Sequence, residues 1–170
     1  MGSLTMNIQS LSNTYQVKHL TKKDIPQIYQ LCLKNPQYYH HCPPAVSIDI
    51  IKEDMAALPI GKTYDDKYYI GFFNHDELVA VMDLVLKYPD EQTAFIGFFM
   101  MNQEYQGNGI GSKIIEDVCD DLKDSFSYVR LGYVKTNHQS EHFWLKNHFE
   151  PTGIIKETPD YDIVVLQRSL

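Results

Sequence analysis

The chain has 170 residues, the size of one domain, and its 15 basic against 22 acidic residues give a formal net charge of −7. Hydrophobic residues make up 44% and charged residues 22%, which excludes a globally disordered chain and allows a buried core. An acidic chain lacks the clustered cations that hold nucleic-acid backbones, so we expect no nucleic-acid partner and an attraction for cationic small molecules.

The cysteines and the N-terminal segment predict the compartment. Cys32, Cys42 and Cys119 are odd in number and form no CxxC, which favours free thiols over a disulfide framework or a thiolate metal site. No signal-peptide pattern opens the chain, and no apolar run is long enough to span a membrane, so no membrane partner is expected. We expect one cytoplasmic domain over residues 1–170, in which residues 1–5 are compatible with a cloning scar before a native Met6.

The first third of the chain predicts one strand and two helices. Apolar and polar residues alternate over residues 15–19, as in a half-buried strand. Thr21 has the position of a helix N-cap, and an apolar stripe follows to residue 34. A proline-bounded loop over residues 36–44 leads to a second helix over residues 47–58, which Pro59 is expected to end.

The remainder predicts a three-stranded antiparallel meander, a helix, a strand, a short helix and a final strand pair. The strands are predicted over residues 67–73, 78–86, 94–101, 128–134, 150–156 and 161–167, and the helices over residues 110–123 and 140–147. A helix between the fourth and fifth strands implies a parallel crossover there. The order β-α-α-β-β-β-α-β-α-β-β is that of a mixed α/β domain.

The most specific motif is QGNGIG at residues 106–111, between an apolar strand and an amphipathic helix. Glycines let the backbone approach a ligand closely, and a helix N-terminus attracts phosphate, so the motif predicts an anion cradle. A Walker loop is excluded because the order is Gly111-Ser112-Lys113. A dinucleotide fingerprint fits less well, since Lys135 rather than an acid follows the next strand. A plain glycine-rich turn stays open as the alternative.

The chain resembles the GNAT superfamily of acyl-CoA-dependent N-acetyltransferases. The pyrophosphate-binding motif of that family, Gln/Arg-x-x-Gly-x-Gly/Ala, is matched by Gln106, Gly109 and Gly111. A second motif, an asparagine leading into a helix that ends in phenylalanine, is matched by Asn137 through Phe149. The predicted element order is also the family's own. The resemblance implies a transferase that uses acetyl-CoA as cosubstrate to acetylate a primary amine, without a metal.

The resemblance further implies which residues meet the cosubstrate and the acceptor. The loop amides would hold the CoA pyrophosphate, and the end of the fourth strand would splay from the fifth to pair with the pantetheine arm and polarise the thioester carbonyl. The cofactor-binding residues so implied are Phe99, Met101, Gln106, Gly107, Asn108, Gly109, Ile110, Gly111, Ser112, Asn137 and Trp144. The acceptor would enter between the first two helices and the third-strand hairpin. Tyr38, Tyr39 and His41 are candidates for its pocket, with packing against the sheet as the alternative.

Two positions depart from the family pattern. Many members place an acidic residue at the position that Gly97 matches and a tyrosine general acid at the position that Trp144 matches. An indole cannot act as an acid near neutral pH. Asp83 is the candidate base, because a carboxylate in an apolar strand is unfavourable unless it is used or paired; strand alternation equally allows it to point to solvent. Tyr133 is a candidate proton relay, with a packed aromatic as the alternative.

Two other functions stay open beside acetyl transfer to a small cationic amine. The departures allow a CoA-binding sensor or interaction module of the same fold with little catalysis. The sequence HxxEH at residues 138–142 matches the inverted zincin motif, but no third ligand is identifiable, so we expect no metal. A homodimer is compatible with the sequence, and no motif identifies the acceptor.

Overall fold

A seven-stranded mixed sheet forms the centre of the computed structural model, which describes residues 6–170. The interpretation of residues 1–5 therefore lies outside the described residues. The strands are β1 (Gln16–His19), β2 (Lys67–Asn74), β3 (Glu77–Leu86), β4 (Thr93–Met101), β5 (Tyr128–Val134), β6 (Glu150–Glu157) and β7 (Asp162–Ser169), in the spatial order β1-β2-β3-β4-β5-β7-β6. All neighbours are antiparallel except β4 and β5, which confirms the predicted meander and crossover.

Helices pack on both faces of the sheet. They are α1 (Ile25–Leu33), α2 (Pro36–His41), α3 (Ile48–Ala56), α4 (Ile110–Leu122) and α5 (His138–Lys146). Apolar side chains of α1 and α3 pack on one face, here called the α1/α3 face, and those of α4 and α5 pack on the opposite face. This arrangement is the predicted mixed α/β domain, because period-2 strands give each face its own apolar set. No described helix is long and apolar enough to cross a bilayer.

The segment predicted as a loop over residues 36–44 contains the short helix α2, so that prediction is wrong and the element order gains a helix. Pro36 suits the first helical position because it lacks the amide that a first turn leaves unpaired. The amide of Cys42 donates to the Tyr38 carbonyl at 3.0 Å and closes the last turn. The rings of His40 and His41 lie with their centroids 5.3 Å apart.

Two other helix ends differ from the prediction by two residues. The helix α3 ends at Ala56 rather than residue 58, because Leu58 precedes Pro59 and such a residue avoids helical backbone angles. The helix α5 begins at His138 rather than residue 140, because the Asn137 side chain caps it by accepting a hydrogen bond from the Ser140 amide.

The strands β4 and β5 are paired only near their beginning. Their register ends at Ile96 opposite Leu131. The β3–β4 register then skips Gly97, which is left unpaired in a bulge opposite Asp83 and Leu84. Beyond the bulge β4 diverges from β5, as the family resemblance predicts. The divergence opens a gap in the middle of the sheet.

Candidate functional site

A cavity of about 860 Å³ lies where β4 diverges from β5, and we call it the splay cavity. The end of β4, the glycine loop, α5 and the beginning of α2 surround it. All the predicted cofactor-binding residues except Asn108 and Ile110 line it: Phe99, Met101, Gln106, Gly107, Gly109, Gly111, Ser112, Asn137 and Trp144. The fold thus brings the two family motifs, which are distant in sequence, to one cavity.

The glycine loop shapes one wall of the splay cavity through its backbone. Gly107 and Gly109 have φ angles of +88° and +75°, a conformation that favours glycine. The first bond of α4 joins the Lys113 amide to the Gly109 carbonyl at 3.0 Å, so the amides of residues 110–112 have no partner within the helix. Free amides at the positive end of a helix dipole attract phosphate. The backbone of Asn108 and Ile110 belongs to this cradle even though neither residue lines the cavity.

Side-chain amides join the end of β4 to the segment between α1 and α2. Gln106 Nε2 donates to Asn35 Oδ1 at 2.8 Å, and Asn35 Nδ2 donates to the Met101 carbonyl at 3.0 Å. Through Asn35, Gln106 therefore helps to hold the end of β4 against the segment that leads into α2. Asn35 is a site residue that the sequence analysis missed, because its role depends on a contact across 66 residues of chain.

Trp144 closes the core beneath the splay cavity. Its side chain is only 7% exposed, and its ring centroid lies 5.9 Å from Phe99, 4.9 Å from Phe143 and 5.2 Å from Phe149. The packed indole therefore forms part of the floor of the splay cavity. The position where many family members place a tyrosine acid is thus occupied by a group that holds its neighbours in place.

A carboxylate from β3 lies beside the bulge at Gly97. Asp83 Oδ2 accepts a hydrogen bond from Lys67 Nζ at 2.9 Å, and the Asp83 side chain is 14% exposed. The alternative in which Asp83 points to solvent is therefore wrong. A Cβ atom added to Gly97 would lie 3.0 Å from Asp83 Oδ2, so this carboxylate fills the space that a side chain at position 97 would enter. Residue 97 is a glycine, but an acidic group still lies next to it, because the neighbouring strand β3 supplies Asp83.

A second carboxylate, Asp54 of α3, joins Asp83 in what we call the acidic pair. Burial and the charge of Asp83 raise the pKa of Asp54 to about 6, while Lys67 opposes the shift. Burial also raises the pKa of Asp83, again against Lys67. Lys67 donates further to the carbonyls of Asp54 and Ala57, at 2.9 and 2.7 Å. The sequence analysis missed Asp54. Its position three residues after Ile51 places it on the same face of the helix as an apolar residue, which could have indicated a partly buried carboxylate.

Of the three residues predicted for the acceptor pocket, only Tyr38 lines the splay cavity. Its ring packs edge to face on Phe98, with centroids 5.7 Å apart, and Tyr39 packs against Tyr38 at 5.0 Å. Burial raises the pKa of both tyrosines, which keeps their hydroxyls neutral. His41 instead contacts the loop before α5, its Nδ1 lying 2.8 Å from Thr136 Oγ1.

The segment after α2 also contacts the β6–β7 turn. The Cys42 thiol donates to the Tyr161 hydroxyl at 3.4 Å. Together with the contact between His41 and Thr136, this bond ties the α2 segment to two loops on the far side of the gap.

Tyr133 lies away from the acidic pair. Its ring packs on the face of α4 and α5, and its hydroxyl donates to Glu141 Oε2 at 2.6 Å. Burial and this bond raise the pKa of Tyr133 to about 12. Tyr133 does not line the splay cavity, and its ring packs on the face of the sheet opposite to α3, which carries Asp54 beside Asp83, so the structure does not bring Tyr133 together with the acidic pair. Within residues 6–170, no group of three or more His, Cys, Asp and Glu side chains is placed to hold a metal ion.

Comparisons with known proteins agree with this geometry. The family model described as Acetyltransferase (GNAT) family matches residues 25–149, whereas no curated protein sequence matches the chain. An acetyltransferase from Thermus thermophilus is similar in structure, with a TM-score of 0.75 at 18% identity, covering 92% of this chain and 97% of that one.

Two further solved structures have the same fold. An acetyl transferase from Salmonella typhimurium that modifies the N-terminal serine of ribosomal protein L7/L12 has a TM-score of 0.74 at 17% identity, covering 94% of this chain and 97% of that chain. A ribosomal L7/L12 alpha-N-protein acetyltransferase in complex with coenzyme A has a TM-score of 0.70 at 18% identity, covering 94% and 96%. At these identities the likeness concerns the fold.

Proposed function

The chain belongs to the acetyltransferase (GNAT) family, and on that premise we propose that it transfers the acetyl group of acetyl-CoA to a primary amine held at Asp83. The observation that carries the proposal is the Asp83 carboxylate, 3.0 Å from where a Gly97 side chain would begin and at the point where β4 leaves β5. A carboxylate at this point can hold an ammonium group next to the end of β4.

The splay cavity suits acetyl-CoA in size and chemistry. The amides of residues 110–112 would bind the pyrophosphate, and the unpaired end of β4 would pair with the amide groups of the pantetheine arm. Phe99 and Trp144 would border the arm with apolar surface. A main-chain amide of residues 99–101 would donate to the thioester oxygen, on which negative charge develops during transfer.

The acidic pair supplies the base for the transfer. An amine reacts through its lone pair, so the ammonium must first give a proton to a carboxylate of Asp83 or Asp54. The amine nitrogen then forms a bond with the acetyl carbon, the bond from that carbon to sulfur breaks, and the CoA thiolate departs. The second proton leaves the nitrogen to solvent, so charges and atoms balance. A thiol titrates near pH ~8.5, so the thiolate can leave unprotonated without a tyrosine acid.

We propose a small amine as acceptor, in the reducing cytoplasm where Cys32 and Cys119 remain free thiols. The Salmonella protein acts on a ribosomal protein. A protein N-terminus is therefore the alternative class of acceptor to a small amine. The contacts of His41 and Cys42 with Thr136 and Tyr161 connect the α2 segment to two loops on the other side of the gap, and a site bordered by connected segments favours a small molecule over a folded partner. The ammonium of such an acceptor would be drawn to the acidic pair.

A panel of amines tests the proposal. Small amines and an N-terminal peptide are incubated with acetyl-CoA and the full chain, and thiol release is followed while calorimetry measures acetyl-CoA binding. We expect binding, together with turnover of at least one small amine. Binding without turnover of any amine favours the sensor or interaction module of the same fold. Absence of binding at millimolar acetyl-CoA overturns the proposal.

A further inference from the structure

A second concavity lies on the α1/α3 face, between β4 and the β6–β7 hairpin, and we call it the strand groove. It has a volume of about 250 Å³, and no residue of α1 to α5 lines it. Its walls are largely apolar, with Phe95 and Tyr88 packed edge to face at 5.2 Å on one side and Ile163 and Val165 on the other. The proposed chemistry at Asp83 leaves this groove without a role.

The charged side chains that line the strand groove are Arg130 and Lys156, both cations. The Arg130 Nε atom donates to Gln167 Oε1 at 2.9 Å, which fixes the guanidinium while leaving its two NH₂ groups available. Within residues 6–170 neither cation forms an ion pair, and Glu150, which pairs with Gln167 in the register, makes none with Arg130. In a chain of net charge −7, such a pair marks a local site for an anionic group.

The strand groove adjoins Asp83 at Gly97, beside the gap in the sheet, although Asp83 itself does not line it. Gly97 and Gly132 both line it. A Cβ on Gly97 would come 3.0 Å from Asp83 Oδ2, and one on Gly132 would come 2.6 Å from Ile163 Cγ2. Side chains at either position would therefore obstruct this corner. Arg130 lies opposite Phe95, two residues before Gly97. Strand spacing then separates the Cα atoms of Gly97 and Arg130 by about 8 Å.

From this placement, and resting on the proposed function, we infer that the strand groove binds the body of the acceptor. The acceptor is then an amino acid in the broad sense, with an ammonium group at Asp83, an apolar middle in the groove and a carboxylate on Arg130 and Lys156. Guanidinium groups bind carboxylates through paired hydrogen bonds, which gives the site its specificity. The class is narrower than a cationic amine, because it requires both charges at a defined separation.

A matched pair of acceptors tests the inference with the full chain at saturating acetyl-CoA. The probes are 4-(aminomethyl)benzoate and 4-methylbenzylamine, which differ in the carboxylate, with spermidine as a purely cationic amine. Thiol release gives kcat/KM for each. We expect a preference of about tenfold to a hundredfold for the carboxylate-bearing amine, the range for a hydrogen-bonded charge. Arg130→Met and Lys156→Met should each reduce that preference through KM, with little change for 4-methylbenzylamine.

Lys123→Met is the control, because it removes one cation from the exposed end of α4, far from the groove. It should keep the preference, and thermal unfolding verifies that every variant folds. The inference is overturned if wild type prefers spermidine or 4-methylbenzylamine, or if the preference survives in both groove variants. Calorimetry of 4-(aminomethyl)benzoate separates the two proposals. If nothing is turned over but wild type binds it and Arg130→Met does not, the groove assignment stands and the proposed function fails. If wild type neither binds nor acetylates 4-(aminomethyl)benzoate, the groove assignment fails, and the amine panel with acetyl-CoA binding decides the proposed function.

Discussion

The two carboxylate oxygens of Asp83 differ in their surroundings. Its Oδ2 atom accepts from Lys67, whereas Oδ1 is buried without a hydrogen bond among the described residues. An unpaired buried acceptor is unfavourable unless a ligand completes it. An incoming ammonium group would do so.

We therefore expect Asp83→Asn to lower kcat/KM for the amine by at least about a hundredfold, the usual range for loss of a general base. Acetyl-CoA affinity should stay unchanged, because the glycine loop is untouched. The amide oxygen still accepts from Lys67, so the protein should fold. Steady-state kinetics and calorimetry are compared with Asp124→Asn, an exposed carboxylate beyond α4. Unchanged kcat/KM in a folded Asp83→Asn protein would assign the base to another group.

We expect the Asp54 carboxylate, which is available as a base in the site, to lower the stability of the folded chain when it is charged. Its pKa rises from the ordinary 3.8 to about 6, so between these values the folded chain holds a proton that the unfolded chain has released. Stability therefore falls as pH rises through this window, and the loss persists above it. Asp54→Asn removes the charge and should raise Tm near pH 8 by about 2–4 °C, equivalent to about 1 kcal/mol after allowance for partial exposure.

Thermal unfolding of wild type and Asp54→Asn at about pH 4 and pH 8 measures this effect. The two proteins should differ near pH 8 and differ much less near pH 4, where Asp54 is protonated in the folded wild type and close to half protonated in the unfolded chain. Lower Tm for Asp54→Asn near pH 8 would mean that the charged form is stabilised, contrary to the direction given by burial.

Trp144 is expected to act through packing. Trp144→Phe should keep most of the activity, because a phenyl ring still contacts Phe99 and Phe149. Trp144→Ala should lower the free energy of unfolding by about 3–5 kcal/mol and weaken acetyl-CoA binding, because it opens a void below the cavity. Trp144→Tyr places a hydroxyl at the family's usual position and tests whether a general acid increases kcat. A loss of several orders of magnitude in kcat for Trp144→Phe, with folding and CoA affinity intact, would instead assign the indole N–H a direct role.

At the scale of elements, local patterns predicted almost every strand and helix, because amphipathic period and capping residues act within a few positions. The helix α2 was missed, since its six residues have no apolar stripe and its contacts come from Phe98, Thr136 and Tyr161. Asp83 was found as a carboxylate, but its place above Gly97 depends on the β3–β4 register. The strand groove was not predicted, because four strands build it.

The N-terminus of α4 provides an element-level test. Gly109→Asp should abolish acetyl-CoA binding, because a carboxylate would stand at the amides that attract the pyrophosphate. Asp at a positive φ also strains the backbone. Gly61→Asp supplies the matched control, since Gly61 has a φ of +82° in an exposed loop and, like Gly109, has nothing within 4 Å of its added Cβ.

Gly109→Asn separates charge from shape, because asparagine tolerates a positive φ and adds no charge. Calorimetry should show binding by Gly61→Asp, weakened binding by Gly109→Asn and none by Gly109→Asp. Equal affinity of Gly109→Asp and wild type for acetyl-CoA would place the pyrophosphate elsewhere.

At the scale of the whole molecule, an acidic chain of net charge −7 must bind a cosubstrate that is itself an anion. The cations lining the splay cavity are Lys34 and Lys146. Lys34 is paired with Glu104 at 3.3 Å, and Lys146 lies over the Phe143 ring at 5.8 Å. We therefore expect attraction to come mainly from backbone amides at short range, and the net charge to repel CoA at long range.

Salt screens the long-range repulsion first, since the Debye length shrinks from about 30 Å at 0.01 M to about 10 Å at 0.1 M ionic strength. We expect the Kd of acetyl-CoA to decrease by about twofold to fivefold across this range, measured by calorimetry in sodium chloride. The same change should raise the Tm increment that a fixed concentration of acetyl-CoA produces, because tighter binding to the folded state adds stability by mass action. A Kd that increases tenfold or more would require several lysine–phosphate pairs and would contradict recognition by the loop amides.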